Sequence, residues 1–520
     1  MKHARKLASL LLALVMVFAL ATTAFAADTT YTITISNAQP GHTYEAYQIF
    51  AGDLAEKEEG KVLSNIVWGN GVTEAGKTAL GDAAGKAESL TGKTEAEAMA
   101  FAKEVAKYLQ SPTESTPGNN NYTISGLSAG YYLVKDKDNS LINADDFYTA
   151  YIMEVVGDVT ATPKGDKPTL DKQIQHNDDG TDSWGVVGDN QIGDTVEFRT
   201  ISTVPNTAGY TTYTYTISDT MSAGLTSNVQ SAADVTIKVN DNADKMLDAK
   251  YYTVTANDNT FTIDVDILKA VADGVLKEND KLYAYYTGVL NKDAKVYDED
   301  KQVNTAHLEY SNNPNNSADK GKTPGKKVYD WTFKMGINKV DGKDKPLTGA
   351  KFVLSKSNSI NIADLACGED GVPTVTTDLI GLVKTGDNEY RIALNGETGT
   401  VYYIEAGNPV IKGLDDNVTY YLYETKSPKG YNLLSKPVSF TITAMYNEDG
   451  SALLVNNPTV TIDQGELSKN LSANVVNQAG TILPSTGGMG TTVFYVLGAV
   501  LVLGAGVLLV TKKRMSRSEG

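Results

Sequence analysis

Cysteine is almost absent: the 520-residue chain has one, Cys367. An internal disulfide is therefore excluded, although exported proteins commonly use them. Histidine is nearly as scarce, with four in all. His42, His176 and His307 are scattered along the chain, which leaves no triad and no zinc-ligand spacing, so a secreted hydrolase is disfavoured. An excess of positive charge is also missing, since 46 basic residues face 63 acidic ones. That balance argues against nucleic acid as a partner.

The chain does have two apolar ends. Lys2, Arg5 and Lys6 precede an apolar stretch from Leu7 to Leu20 and then Ala24-Phe25-Ala26. This pattern reads as a secretory signal over residues 1–26. At the other end Val493 to Val510 is uncharged and long enough to nearly cross a bilayer as a helix. Residues 491–511 are expected to span the membrane. The basic tail 512–520, with Lys512, Lys513, Arg514 and Arg517, should stay in the cytoplasm, placing the bulk of the chain outside. Without the seven basic residues and one acid of these ends, 39 basic residues face 62 acidic ones, a net charge of about −23.

Between the ends the chain reads as mostly β. Period-2 runs include "TYTITI" (30–35), "YTTYTYTI" (210–217), "VTIKV" (235–239), "FTIDVDI" (261–267) and "TYYLYE" (419–424). One helix interrupts them: Thr94 and Glu97 form a capping box, and Ala98, Phe101, Ala102, Val105 and Leu109 share a face. The Pro-containing "ATPKGDKPT" (161–169) and the Asn-, Gly- and Lys-rich "SNNPNNSADKGKTPGKK" (311–327) read as connectors. They divide the chain into domains at 27–160, 169–312 and 328–480, with linkers at 161–168 and 313–327.

Several lysines sit where lysine is costly. Phe333, Met335, Ile337 and Lys339 share a parity, so a strand would aim Lys339 into the core. A buried ammonium tends to lose its proton and become a nucleophile. Val475 and Asn477 alternate on one face of "ANVVNQAG", and Leu422 and Glu424 on one face of "YYLYETKSPKGY". Leu170, Lys172 and Ile174 alternate likewise, as do Asn304, Ala306 and Leu308, and Ile217 and Asp219.

"LPSTG", Leu483, Pro484, Ser485, Thr486 and Gly487, followed by an apolar span and a basic tail, resembles the cell-wall sorting signal of Gram-positive bacteria. With the linker "TATPKGDKPTLDKQI" and the Glu box "ETKSPKGY", the chain resembles the sortase-assembled major, or backbone, pilins along essentially its whole length. The resemblance implies tandem immunoglobulin-like, collagen-adhesin B-type β-sandwiches, the first with an added helix, and a C-terminal transmembrane helix in the precursor. It implies that a sortase thiolate cuts between Thr486 and Gly487 and passes the new carboxyl to a lysine of the next subunit. That lysine is Lys164, with Lys167 as the reserve; Thr162 stands where the family has an aromatic residue. It further implies intramolecular isopeptide bonds from Lys172 to Asn304, with Asp219 relaying protons, and from Lys339 to Asn477, with Glu424 in that role. The first domain has no lysine on its opening strands, so no such bond is expected there, and it should be the most labile of the three.

The function implied is a structural shaft subunit, not an enzyme beyond its own cross-linking. Its partners would be other copies of itself, a class C pilin sortase, a housekeeping sortase, peptidoglycan, minor pilins and host surface ligands. The alternative is a non-polymerising wall-anchored adhesin or minor pilin. No cofactor and no metal are expected; "HNDDGTDSW" (176–184) has oxygen ligands suited to calcium but lacks the closing Glu. Cys367 reads as an incidental loop thiol.

Overall fold

A computed structural model describes residues 29–57, 60–91, 93, 95–118, 121–141, 143, 146–162, 167–176, 183–207, 209–463, 466–468, 471–480 and 490–515. The signal segment, Lys164, Thr94, most of 176–184 and the LPSTG motif lie outside the described residues.

Six sheets pair into three successive sandwiches. In the first, β1 (Tyr31–Ser36) pairs antiparallel with β3 (Asn121–Leu127) and parallel with β5 (Val159–Ala161). The facing sheet is built on β2 (Tyr44–Lys57) and β4 (Gly130–Asp136). The helix expected here is α3 (Glu95–Val105); its Phe101, Ala102 and Val105 pack with Phe50, the Phe50 and Phe101 rings 5.9 Å apart. Two short helices precede it, α1 (Glu74–Leu80) capped by Thr73 and α2 (Ala83–Ser89) capped by Asp82. At seven residues each they are too short to show a clear 3.6 period, and packing rather than propensity holds them.

The middle sandwich sets β6 (Leu170–His176), β8 (Thr195–Thr203) and β10 (Lys281–Leu290) on one sheet. The facing sheet holds β7 (Val187–Asp189), β9 (Tyr215–Met221), β11 (Gln302–Ser311) and β12 (Lys326–Trp331). Strict alternation along β10 and β11 gives each a buried inner face and a half-exposed outer one. "YTTYTYTI" becomes strand only from Tyr215. "FTIDVDI" breaks at Asp266, which caps the helix α4 (Ile267–Ala272).

The stretch 311–327 is not a free joint. Asn313 and Asn316 tie their side chains to Asp319 in a tight turn, and Lys320–Lys322 returns antiparallel to Glu309–Ser311. Strand β12 then completes the middle sandwich, so its residues 328–331 belong there rather than to the third domain.

The third sandwich begins directly with β13 (Phe333–Asp341), one residue after β12. It lies between β15 (Val410–Leu414) and the last strand, β17 (Ser472–Asn477), which it meets in parallel. The opposing sheet carries β14 (Lys351–Ser355) and β16 (Thr419–Lys426). The middle and third sandwiches share one continuous core. Trp331 donates to the Gly450 carbonyl, Tyr420 to Gln191 Oε1 and Tyr446 to Asp189 Oδ2, at 3.0 to 3.1 Å. At the same joint oxygens of Asp189, Asp415 and Asp416, all buried, lie within 4.8 Å of one another. The first sandwich touches the middle one through polar contacts, among them Lys103 Nζ to the Gly209 carbonyl at 2.5 Å and Asn312 Nδ2 to the Asp146 carbonyl at 3.1 Å. Beyond the sandwiches runs the exposed helix α5 (Gly490–Met515), whose Val493–Met515 stretch is long and apolar enough to cross a membrane.

Candidate isopeptide sites

The third-domain residues converge. In β13 the inner parity buries Phe333, Met335, Ile337 and Lys339 together, the lysine with no exposed surface. The parallel register pairs Lys339 with Val475 and Asp341 with Asn477. Asn477 is therefore two residues along the neighbouring strand, about 6.6 Å, a distance an extended lysine side chain covers. Lys339 Nζ donates to the carbonyls of Val475 (2.8 Å) and Val340 (3.2 Å). Burial pulls its amine below the usual lysine range, with Glu424 and Asp341 opposing.

Glu424 reaches the pair from the other sheet. Its Oε2 accepts from Asn477 Nδ2 (2.8 Å) and from the Leu434 amide (2.9 Å), while Asn477 Nδ2 also donates to the Asn432 carbonyl (2.6 Å). Burial pushes the Glu424 carboxyl above the usual range, offset by these two donors and by Lys339. Its Oε1 and Asn477 Oδ1 are buried and make no hydrogen bond among the described residues. Oε1 is thus the position free to carry a proton. Both shifts run toward an uncharged amine and a protonated acid, the pairing that aminolysis of a carboxamide requires.

The middle domain reaches a similar cluster by another route. Lys172 lies on one sheet, whereas Asp219 and Asn304 lie on the facing sheet, where Asp219 pairs with Ala306 and Asn304 with Met221. All three are about 1 % exposed. Lys172 Nζ donates to Asp219 Oδ2 at 2.5 Å and to the Tyr286 hydroxyl, which itself donates to Asp219 Oδ2 at 2.5 Å. The Lys172 amine also lies 5.0 and 5.4 Å from the ring centroids of Tyr286 and Phe198. Burial lowers its proton affinity and Asp219 partly restores it. Asn304 opposes the rise that burial and Asp219 impose on the Tyr286 hydroxyl, yet among the described residues neither its Oδ1 nor its Nδ2 makes a well-formed hydrogen bond. Here the acid sits on the lysine; in the third domain it sits on the asparagine.

Alternation along β10, "KLYAYYTGVL", marks Tyr286 as inward, but only the strand order, with β8 alone between β6 and β10, brings it to Lys172. The first domain also has a buried lysine, Lys135, but on β4 rather than an opening strand. It pairs with Glu45 and Asp138, each at 3.1 Å, and the same sandwich buries His42 between Asp136 (2.7 Å) and Asp146 (3.1 Å). His307 points away from the Asn304 face and contacts the Thr323 carbonyl. Cys367 is half-buried and free, with burial raising its thiol. Lys167 is exposed at the edge of the linker.

Comparison with known proteins finds three matches along the chain. Residues 149–264 match a Spy0128-like isopeptide-containing domain, residues 333–456 a SpaA-type prealbumin-like fold domain, and residues 476–516 an LPXTG cell wall anchor motif. The chain is similar to the fimbrial subunit type 1 of Actinomyces viscosus, at 31 % identity over 212 residues. That match covers 39 % of this chain, which spans only 36 % of that relative's length. It is 24 % identical to the trypsin-resistant surface T6 protein of Streptococcus pyogenes serotype M6, over 94 % of this chain and 96 % of that one. Among solved structures it resembles the three-domain T6 backbone pilin of S. pyogenes, with TM-score 0.47, 17 % identity and coverage of 88 % of this chain and 100 % of that chain. It also resembles the major pilin SpaD of Corynebacterium diphtheriae, with TM-score 0.45, 17 % identity and coverage of 88 % and 99 %.

Proposed function

Because the chain carries an LPXTG cell wall anchor motif behind an isopeptide-containing domain and a prealbumin-like domain, we propose that it is the repeating shaft subunit of a covalently polymerised surface pilus. The observation that carries this reading is the anchor motif following two sandwiches, each with a fully buried lysine beside an acid and an asparagine. A wall-anchored protein with one cysteine needs another way to hold its strands together under load, and an amide bond cannot be reduced.

In the third domain, uncharged Lys339 attacks Cγ of Asn477. Glu424 lends its proton to the carboxamide, one lysine hydrogen passes by way of the acid to Nδ2, and ammonia leaves. The Nζ–Cγ bond replaces the Cγ–Nδ2 bond. It ties the first strand of that sandwich to the last, so tension is not borne by the hydrogen-bond ladder. The Lys172 to Asn304 bond joins the two sheets of the middle sandwich. Between subunits, a sortase cuts after Thr486 and the Lys164 amine of the next copy takes the carboxyl, Lys167 being the reserve nucleophile. A class C pilin sortase would polymerise the shaft and a housekeeping sortase would pass its base to peptidoglycan. Minor pilins and host ligands would join through the assembled fibre.

Replacing Lys164 by Arg tests the assembly. Cell-wall extracts of the variant should lose the ladder of high-mass species on denaturing gels while keeping anchored monomer. A ladder unchanged in both Lys164→Arg and Lys167→Arg would overturn the linker-lysine assignment, and wild-type extracts holding anchored monomer without any ladder would favour the non-polymerising adhesin.

A further inference from the structure

The two clusters divide their chemistry differently. In the third domain one acid both bonds to the carboxamide and lies near the lysine. In the middle domain Asp219 is engaged by the lysine and by Tyr286, and among the described residues no carboxylate bonds to Asn304. The carboxamide is left with a phenol hydroxyl as its polar neighbour.

We propose that Tyr286 is a catalytic residue of the middle-domain reaction, its hydroxyl polarising the Asn304 carboxamide while Asp219 serves as base to Lys172. Two side chains then share what Glu424 does alone. The inference rests on the Lys172 to Asn304 reading given above. Burial and Asp219 push the phenol well above its ordinary range, with Asn304 opposing, so the hydroxyl keeps a proton to donate.

The step balances. Of three ammonium hydrogens on Lys172, one passes to Asp219, which frees the Tyr286 hydroxyl from that carboxylate to turn toward Asn304 Oδ1. The amine attacks Cγ, and the charge gathering on Oδ1 meets the hydroxyl. A second hydrogen moves to Nδ2 as the Cγ–Nδ2 bond breaks, the third remains on the new amide, and ammonia departs, taking up the proton from Asp219 to leave as ammonium and restore the carboxylate.

Tyr286→Phe keeps the ring beside the amine and removes only the hydroxyl. In the ectodomain, residues 27–480, peptide-resolved mass spectrometry over time follows both cross-links, and the third-domain bond serves as an internal control. The expected result is a folded variant by near-ultraviolet circular dichroism, with a normal Lys339–Asn477 peptide and a Lys172–Asn304 peptide forming at least about 100-fold more slowly. Formation at the wild-type rate would overturn the proposal and leave the Lys172 and Asn304 assignment intact. Absence of that peptide from the wild-type protein would overturn the assignment itself. Should the Phe variant not fold, 3-fluorotyrosine at 286 preserves the shape and makes the phenol more acidic. The rate should then change, and an unchanged rate would refute a role for the hydroxyl.

Discussion

Glu424→Gln separates the covalent bond from the packing around it. Gln is nearly isosteric, its amide oxygen can accept from Asn477 Nδ2 and the Leu434 amide as Glu424 Oε2 does, and Lys339 keeps its two carbonyl partners. What is lost is the titratable proton. Without it the Lys339 to Asn477 bond should not form, and intact mass should exceed that of the wild-type ectodomain by one ammonia less the small Glu-to-Gln difference. The proposed bond would close a loop of 138 residues in the unfolded chain. The loop-entropy relation gives about 17 cal/mol/K, or about 5 kcal/mol near room temperature. For a sandwich of this size each kcal/mol moves the midpoint by ~2–4 °C, so the third-domain transition should fall by ~10–20 °C. Calorimetry of the ectodomain reads this directly. A variant that lacks the bond by mass yet melts within a degree or two of wild type would refute the energetic argument. One that still loses the ammonia would refute the role of Glu424.

Two further expectations concern pH. Burial pushes Asp330 up to about 8, with Asn190 donating to its Oδ1 at 2.8 Å. The folded state therefore holds a proton that the unfolded chain releases near pH 4. Stability contributed by this group is present at low pH and falls as pH rises toward 8, by roughly 1 kcal/mol per unit. Asp330→Asn should flatten the pH dependence of the joined middle and third domains, and an equally steep slope in the variant would count against it. In the first domain Asp136 and Asp146 raise His42 against the opposing effect of burial. Its stabilisation should be complete below the unfolded value near 6.5 and be lost as pH climbs through the higher folded value. His42→Gln should remove that loss from the first-domain melting curve, and a variant that still shows it would rule His42 out as the cause.

Much of this was legible because burying a lysine on a strand leaves a period-2 signature. Phe333 to Lys339 and Leu170 to Ile174 showed which lysines face inward, and the matching parities of Glu424, Asn477, Asp219 and Asn304 supplied partners. Strand order was not legible. Nothing local announces that Phe333–Asp341 runs parallel to Ser472–Asn477, or that Lys172 and Asn304 sit on opposite sheets, because those pairings join residues more than 100 positions apart. Turn chemistry misled at 311–327, where Asn and Gly serve a hairpin within a sandwich and not a joint between two. Tyr286 has the inward parity of Leu282 and Ala284, which Tyr283 and Tyr285 lack, but nothing local shows that only β8 separates its strand from that of Lys172.

The proposed welding of this chain to itself and to its copies through lysine amines leaves covalent traces in the fibre. Native surface filaments, digested and sequenced by tandem mass spectrometry, address it most directly. Three branched peptides are expected: Thr486 joined to Lys164 of another copy, Lys172 to Asn304, and Lys339 to Asn477. Filaments that yield all three regions only as linear peptides, with unmodified lysines and intact asparagines, would contradict that proposal.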